Sequence, residues 1–148
     1  MIQVKKFTFN PFQENTYVLF DETKECVIID PGCYEREEEK MLEEFIKQKG
    51  LKPVRLLNTH CHIDHILGNQ FVAKTYELDL EIHKEDEVTL KSVMNYAHVY
   101  GFTNYKESPN PSHFLEEGDV VSFGNSELSV LSNSDHAANV CSSASSNG

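Results

Sequence analysis

The segment NTHCHIDHILGN, residues 58–69, concentrates side chains that can bind metal ions. Three of the seven histidines and one aspartate fall within six consecutive positions, as His60, His62, Asp64 and His65. Imidazole and carboxylate groups together are ligands that suit zinc, iron and manganese. A lone histidine is usually an ordinary structural residue, but four such groups crowded together predict a metal site.

The spacing of these residues indicates how they meet. Side chains alternate along an extended segment, so His60, His62 and Asp64 should share one side while Cys61 faces the other and packs. His65 stands where the chain is expected to turn into a helix, and it can point into the same space from another angle. Four ligands in six residues exceed what one ion usually takes from one short loop. The pattern therefore predicts two adjacent metals with a bridging hydroxide as the nucleophile.

The elements before this segment are mainly strands. The runs IQVKKFTF, NTYVLFD and ECVIIDPG predict three strands. Apolar side chains at helical spacing predict a helix over residues 35–50, with Gly50 as its stop. The run PVRLLNTH then predicts a further strand, which places the histidines at its C-terminal edge.

The elements after this segment continue the alternation. Helices are expected at about residues 68–78 and 84–101, with the short strand LDLEIH between them. The run DVVSFGNSELSVL predicts a hairpin that turns at Gly124-Asn125. Strands followed by strand–helix alternation predict an α/β layered domain.

The composition restricts the class of protein and its partners. With 148 residues the chain is expected to form one domain, and a net charge of −11 argues against nucleic acids and anionic membranes as partners. No apolar run is long enough to span a bilayer, and the N-terminus does not resemble a signal peptide. The cysteines lack a C-x-x-C pair, which predicts reduced thiols in a cytoplasmic protein. They are Cys26, Cys33, Cys61 and Cys141.

Several other side chains have a weaker claim to function. Asp30 ends an apolar run before Pro31-Gly32, and it fits an ordinary turn at least as well as a carboxylate delivered to the site. Three further histidines are interpreted as non-ligands: His83, His98 and His113. Four aromatic residues could line a substrate entrance but are more typical of a core: Tyr96, Tyr100, Phe102 and Tyr105.

The sequence resembles the metallo-β-lactamase fold superfamily over about residues 1–131. THCHIDH matches the H-x-H-x-D-H motif of that superfamily, and IIDPG stands in the matching place before it. A histidine directly after the aspartate is more similar to the glyoxalase II-like hydrolases than to the true β-lactamases. The resemblance implies the N-terminal half of an αββα sandwich. It also implies a single domain over residues 1–148 that is incomplete at its C-terminus, with an irregular tail at 132–148.

The resemblance also implies a ligand set. In the family the first two histidines of the motif hold one metal, and they correspond here to His60 and His62. The aspartate and the final histidine of the motif hold a second metal, and they correspond to Asp64 and His65. A later histidine of the family corresponds to His136, although the preceding residues differ from the usual Thr-Pro-Gly. The implied cofactor is a pair of zinc ions, with iron or manganese as alternatives. A bridging aspartate and a last histidine of the family have no counterpart in this sequence.

The activity implied by the resemblance is hydrolysis by a metal-bound hydroxide, with Asp64 as the catalytic residue that helps to orient it. The favoured small-molecule substrate is a thioester of the hydroxyacylglutathione type. One alternative is a mononuclear-iron enzyme that oxidises a persulfide, in which the residues after H-x-H do not bind the metal. Another is a catalytically inactive half-domain. An exposed core edge would favour association into a homo-oligomer.

Overall fold

The first sheet of the protein contains six strands and carries the histidine-rich segment at one edge. The computed structural model describes residues 2–132 and 138–143. The strands lie in the order of the chain, with β1 to β3 antiparallel and β3 to β6 parallel. They are β1 (Gln3–Phe9), β2 (Glu14–Phe20), β3 (Glu25–Ile29), β4 (Lys52–Leu57), β5 (Leu80–His83) and β6 (His113–Leu115).

The second sheet is antiparallel and packs against the first. It contains β7 (Val120–Phe123), β8 (Ser126–Ser132) and β9 (Ala138–Ser143). The expected hairpin is formed by β7 and β8. The expectation of an irregular tail is wrong over residues 138–143, because β9 pairs with β8 from Ser132↔Ala138 to Glu127↔Ser143. An edge strand presents unpaired backbone groups, and β9 satisfies those of β8.

The helices cover one face of the first sheet. They are α1 (Arg36–Lys49), α2 (Ile63–Ile66), α3 (Asn69–Tyr76) and α4 (Glu87–Ser92). The expected helices at 35–50 and 68–78 are present as α1 and α3. The expected helix at 84–101 is instead α4 flanked by 3₁₀ turns, because Tyr96 has a non-helical φ of −133°. Residues of modest helix propensity dominate that stretch, so tertiary packing decides its conformation.

Two apolar cores hold these layers together. The first lies between the six-stranded sheet and the helices, and it includes Leu42, Ile46 and Leu56. The second lies between the two sheets and includes Leu57 and Leu128. Among the described residues, no helix has the length and apolar character needed to cross a bilayer.

Three of the four cysteines lie in the first core as free thiols. Cys26, Cys33 and Cys61 are buried, and none of them forms a disulfide. Cys61 is 1% exposed, which confirms that it packs away from the histidines. Cys141 lies in a part of β9 whose side chains are outside the described set.

The carboxylate of Asp21 joins the two sheets. It is 1% exposed and accepts hydrogen bonds from the backbone N–H of Asn125 at 2.8 Å and the hydroxyl of Ser126 at 2.7 Å. The backbone N–H of Thr23 donates to it at 2.9 Å. Burial raises the pKa of Asp21, but the hydrogen bonds from Thr23, Ser126 and Asn125 outweigh burial and bring the pKa below its ordinary value of 3.8.

We expect Asp21→Asn to destabilise the protein by about 1–3 kcal/mol at neutral pH, since an amide offers one oxygen where two are used. A depressed carboxyl pKa stabilises the fold above the unfolded pKa, and this contribution is lost as the pH falls through the folded pKa. The difference in unfolding free energy between wild type and Asp21→Asn should therefore shrink below the ordinary pKa of 3.8. Urea unfolding from pH 7 to pH 3 measures it, with the exposed Asp79→Asn as control. A gap that stays constant across this range contradicts the assignment.

Candidate metal centre

The histidine-rich segment is positioned by the end of β4 and the start of α2. Two of its histidines, His60 and His62, lie between these elements, whereas Asp64 and His65 belong to the short helix. The expected alternation of side chains is therefore wrong for Asp64, because extended backbone ends at His62, which has φ −69° and ψ 153°. The backbone N–H of His65 donates to the carbonyl of His62 at 2.9 Å, and this bond closes the first helical turn.

The four side chains meet at this corner of the sheet. The ring centroids of His60 and His62 are 6.1 Å apart, and those of His60 and His65 are 5.1 Å apart. The Nε2 atom of His65 lies 3.6 Å from the Oδ2 atom of Asp64. The side chains of His65 and Asp64 are 24% and 26% exposed, so the corner is open to a ligand.

Asp30 contributes a buried carboxylate to this corner, a role that the sequence left open. It follows β3 with a left-handed φ of 53° and is 3% exposed. Its Oδ1 atom accepts a hydrogen bond from the backbone N–H of Thr59 at 2.7 Å, and its Oδ2 atom accepts one from the Thr59 hydroxyl. Ligand atoms of Asp30, His60 and His65 all lie within 4.8 Å of one another.

Asp30 lies against the ring of His65, where its charge can orient that ring. Its Oδ2 atom lies 3.2 Å from the Nδ1 atom of His65, while the Nε2 atom of the same ring faces Asp64. A metal-binding histidine commonly gives its second ring N–H to a carboxylate, which fixes the ring and its tautomer. Both oxygens of Asp30 are already engaged by Thr59. We therefore assign it to hold His65 rather than to bind the metal.

Glu14 is a second carboxylate at the same ring nitrogen, in a role that no sequence pattern predicts. Its side chain is 0% exposed, and its Oε1 atom lies 3.3 Å from the Nδ1 atom of His65. The hydroxyl of Thr16 donates to its Oε2 atom at 2.9 Å. Glu14 stands at the start of β2, 51 positions before His65, so no local pattern links the two.

The pKa values of Glu14 and His65 show how burial and charge compete at this corner. Burial raises the pKa of Glu14 to about 7, against the attraction of His65, which lowers it. Burial alone would lower the pKa of His65, but the carboxylates of Asp30 and Glu14 outweigh burial and raise the pKa to about 10. The two carboxylates therefore favour the protonated form of the His65 ring.

The donor set fits a divalent metal ion. The buried Nδ1 atom of His65 and Oε1 atom of Glu14 face each other without a well-aligned hydrogen bond among the described residues, although the distance is that of an ion pair. A metal ion at the Nε2 atom would take the place of one ring proton and keep the positive charge that Glu14 and Asp30 surround. The ligand types of the corner, imidazole and carboxylate, suit zinc, iron and manganese.

One further carboxylate near the histidines lies in the turn that follows β5. The carboxylate of Asp86 interacts electrostatically with His83, His60 and His62, and burial raises its pKa. Its Oδ2 atom is buried and has no hydrogen-bond partner in the described part of the chain. The Nδ1 atom of His83 accepts a hydrogen bond from the backbone N–H of Glu85 at 3.1 Å. That His83 does not bind metal remains a prediction.

The remaining candidates divide between the core, the surface and the residues outside the described ranges. Phe102 is 3% exposed and belongs to the first core, as its aromatic character indicated. Tyr100 is instead 54% exposed, and its ring lies 5.9 Å from that of Phe12. His98 is exposed in a 3₁₀ turn and His113 is exposed in β6. His136, the fifth expected ligand, lies outside the described residues.

Comparison with known proteins identifies the family. The model of the Metallo-beta-lactamase superfamily matches residues 9–137, a span that runs from the end of β1 through β8 and contains the whole histidine-rich corner. The chain belongs to this superfamily. The expected fold class is thereby confirmed, as is the similarity to glyoxalase II-like members of the superfamily.

The relatives include enzymes of more than one chemistry. Hydroxyacylglutathione hydrolase of Francisella philomiragia is 33% identical over 131 residues, which are 88% of this chain and 42% of that enzyme. The mitochondrial persulfide dioxygenase of Mus musculus is 46% identical over 54 residues, 36% of this chain and 20% of that enzyme.

A solved structure agrees with this assignment and contains metal. The crystal structure of TTHA1623 in a di-iron-bound form superimposes with a TM-score of 0.75 at 29% identity. The alignment covers 94% of this chain and 67% of that one. The chain spans less than two thirds of the length of the curated relatives that it matches.

Proposed function

We propose that this metallo-hydrolase superfamily member hydrolyses a thioester of the hydroxyacylglutathione type, with two divalent ions held by the motif residues. The observation that carries the proposal is the meeting of His60, His62, Asp64 and His65 at one open corner of the sheet. The similarity to the Francisella hydrolase supports the thioester as substrate.

Two pairs of residues would each bind one metal ion. His60 and His62 would hold one ion, and Asp64 and His65 would hold the other. When bound, such ions lower the pKa of a water molecule and stabilise the negative charge that develops on the attacked carbonyl oxygen. Asp30 and Glu14 retain the proton on the Nδ1 atom of His65, which leaves its Nε2 atom free as a ligand.

His60 is supported in a similar way. The hydroxyl of Thr59 lies 3.0 Å from the Nδ1 atom of His60, and the same hydroxyl contacts the carboxylate of Asp30. One buried carboxylate therefore reaches both histidines, His65 directly and His60 through Thr59. Zinc is the metal that we propose for both positions, with iron as the alternative that the di-iron relative supports.

A second candidate function is oxidation of a persulfide by a single iron ion. The similarity to the mouse dioxygenase favours it. In this alternative His60 and His62 would hold the ion, and Asp64 and His65 would not bind it. Metal identity and number separate the two candidates.

Metal stoichiometry on the purified chain tests the proposal. After removal of loosely held ions, we expect elemental analysis to find two ions per chain, and the loaded protein should release free thiol from an S-hydroxyacyl glutathione. One firmly held iron per chain, with consumption of oxygen in the presence of a persulfide, would instead establish the second candidate. Absence of bound metal after incubation with zinc, iron and manganese contradicts both.

We also propose a cellular location and an oligomeric state for this protein. The three buried free thiols support a reducing compartment, and we propose the cytoplasm. We also propose a homo-oligomer, since apolar side chains such as Val88, Val99 and Val120 are more than half exposed. The substrate is proposed to be a small molecule, and neither nucleic acid nor membrane is expected as a partner.

A further inference from the structure

The turn between β1 and β2 lies directly against the metal-binding segment. It covers residues 10–13 and is closed by a hydrogen bond from the backbone N–H of Gln13 to the carbonyl of Asn10 at 3.0 Å. Asn10 has a left-handed φ of 56°, a conformation that asparagine tolerates better than most residues. More than fifty positions separate this turn from Asp64 in the sequence, so the contact between them is purely tertiary.

The side chain of Asn10 joins two backbone carbonyls of the site. Its Nδ2 atom donates to the carbonyl of Asp64 at 2.9 Å and to the carbonyl of Gly32 at 3.0 Å. The two amide protons of Asn10 are therefore both used. One bond fixes the first turn of α2, where Asp64 and His65 lie, and the other fixes the loop that follows Asp30.

Asn10 is itself held by several partners. Its backbone N–H donates to the Oε2 atom of Glu38 at 2.6 Å, and its Oδ1 atom accepts from the backbone N–H of Phe12 at 2.9 Å. The other oxygen of Glu38 accepts from the backbone N–H of Tyr34 at 2.8 Å. Helix α1 therefore anchors the turn, and a side chain with so many fixed partners has little freedom to move.

The other end of the same turn reaches His65. Glu14 begins β2, and its Oε1 atom lies 3.3 Å from the Nδ1 atom of His65. The two ends of the turn therefore contact the two adjacent motif residues, Asn10 through the backbone of Asp64 and Glu14 through the ring of His65. None of the described contacts of Asn10 or Glu14 involves the side chain of His60 or His62.

We propose that Asn10 is a positioning residue that sets the Asp64–His65 pair for the second metal ion through its hydrogen bond to the carbonyl of Asp64. This inference rests on the proposed two-metal site. It assigns the two halves of the site to different supports: the β1–β2 turn for Asp64 and His65, and the strand end at β4 for His60 and His62.

Titration with Co²⁺ alone separates the two halves. We expect Asn10→Ala and Asn10→Asp to weaken binding of the second ion by at least about tenfold, the usual loss when a supporting residue of a metal site is removed. Affinity for the first ion should match that of wild type. Asn15→Ala is the matched control, because Asn15 lies on the same hairpin and is exposed, and the one hydrogen bond of its side chain within the described residues is a 3.4 Å contact with Thr8. Calorimetry and visible absorption record both steps.

The outcomes distinguish positioning from general support of the fold. Equal weakening of both ions, or no change in either, overturns the inference. If wild type holds no second ion, the two-metal function fails, and the metal-free chain then decides the inference by ring ¹H–¹⁵N correlations of its histidines. Shifts at His65 but not at His62 in Asn10→Ala, relative to Asn15→Ala, support positioning. Unshifted His65 signals overturn it.

Discussion

Replacing His60 and His62 together by alanine should abolish metal binding in the first half of the site and with it any thiol release from a thioester. Imidazole nitrogens bind zinc and iron directly, and the segment provides no other histidine for that half. The fold should survive, because the apolar neighbours Cys61 and Ile63 fill the core beneath and are unchanged. Elemental analysis after gel filtration measures the bound metal, and circular dichroism checks the fold.

The control for this double variant removes two histidines elsewhere. His98 and His113 are exposed and lie outside the metal corner, so the double variant His98→Ala/His113→Ala should keep the metal content of wild type. Comparing the two pairs removes any effect of histidine number on nonspecific binding. Metal content that is equal in both double variants would contradict the assignment of His60 and His62.

The sequence predicts those parts of the protein that depend on local pattern. The strands rich in Val and Ile, the α1 periodicity and the hairpin at Gly124-Asn125 are all present in the structure. The histidine cluster is equally local, since its four members occupy six positions. Residues 84–101 show the limit of such patterns, because Leu90, Val93 and Ala97 are buried at helical spacing and yet the backbone leaves the helical conformation at Tyr96.

The supports of the metal site could not be predicted in the same way. Asp30, Glu14 and Asn10 approach the motif from positions 35 to 54 residues away in the chain, and each has an ordinary local role. Asp30 also fits a turn, Glu14 also fits a strand end, and Asn10 also fits a hairpin loop. These groups are brought together by the order of the strands alone. That order places the start of β2 beside the ends of β3 and β4.

Gly32 is the point at which these long-range contacts converge. A Cβ atom at this position would meet the carbonyl oxygen of Asp64 at 2.6 Å, the Nδ2 atom of Asn10 at 2.8 Å and the Oε2 atom of Glu14. The carbonyl of Asp64 is part of the backbone and the side chain of Glu14 is buried, so neither group can move aside. The Pro31-Gly32 pair therefore does more than form a turn, since the missing side chain makes room for the supports of Asp64 and His65.

Gly32→Ala should consequently destabilise the protein by about 3 kcal/mol and weaken metal binding, because overpacking a filled site forces its neighbours to shift. The shift would fall on the Asp64 carbonyl and on Glu14, so the second ion should be affected more than the first. Gly50→Ala is the matched control: it places a methyl at a left-handed φ of 65° with nothing within 4 Å. Its cost should be about 1 kcal/mol, from backbone strain alone.

Urea unfolding and Co²⁺ titration of both glycine variants distinguish a crowded site from a merely strained backbone. Gly50 ends α1 just before β4 begins, whereas the histidines follow the other end of β4, so its variant should lose stability while it keeps the metal affinity of wild type. If Gly32→Ala costs no more than Gly50→Ala and binds both ions normally, the contacts among Asn10, Glu14 and Asp64 do not constrain the site. Selective loss of the second ion would instead show that the space left by Gly32 is a requirement of metal binding.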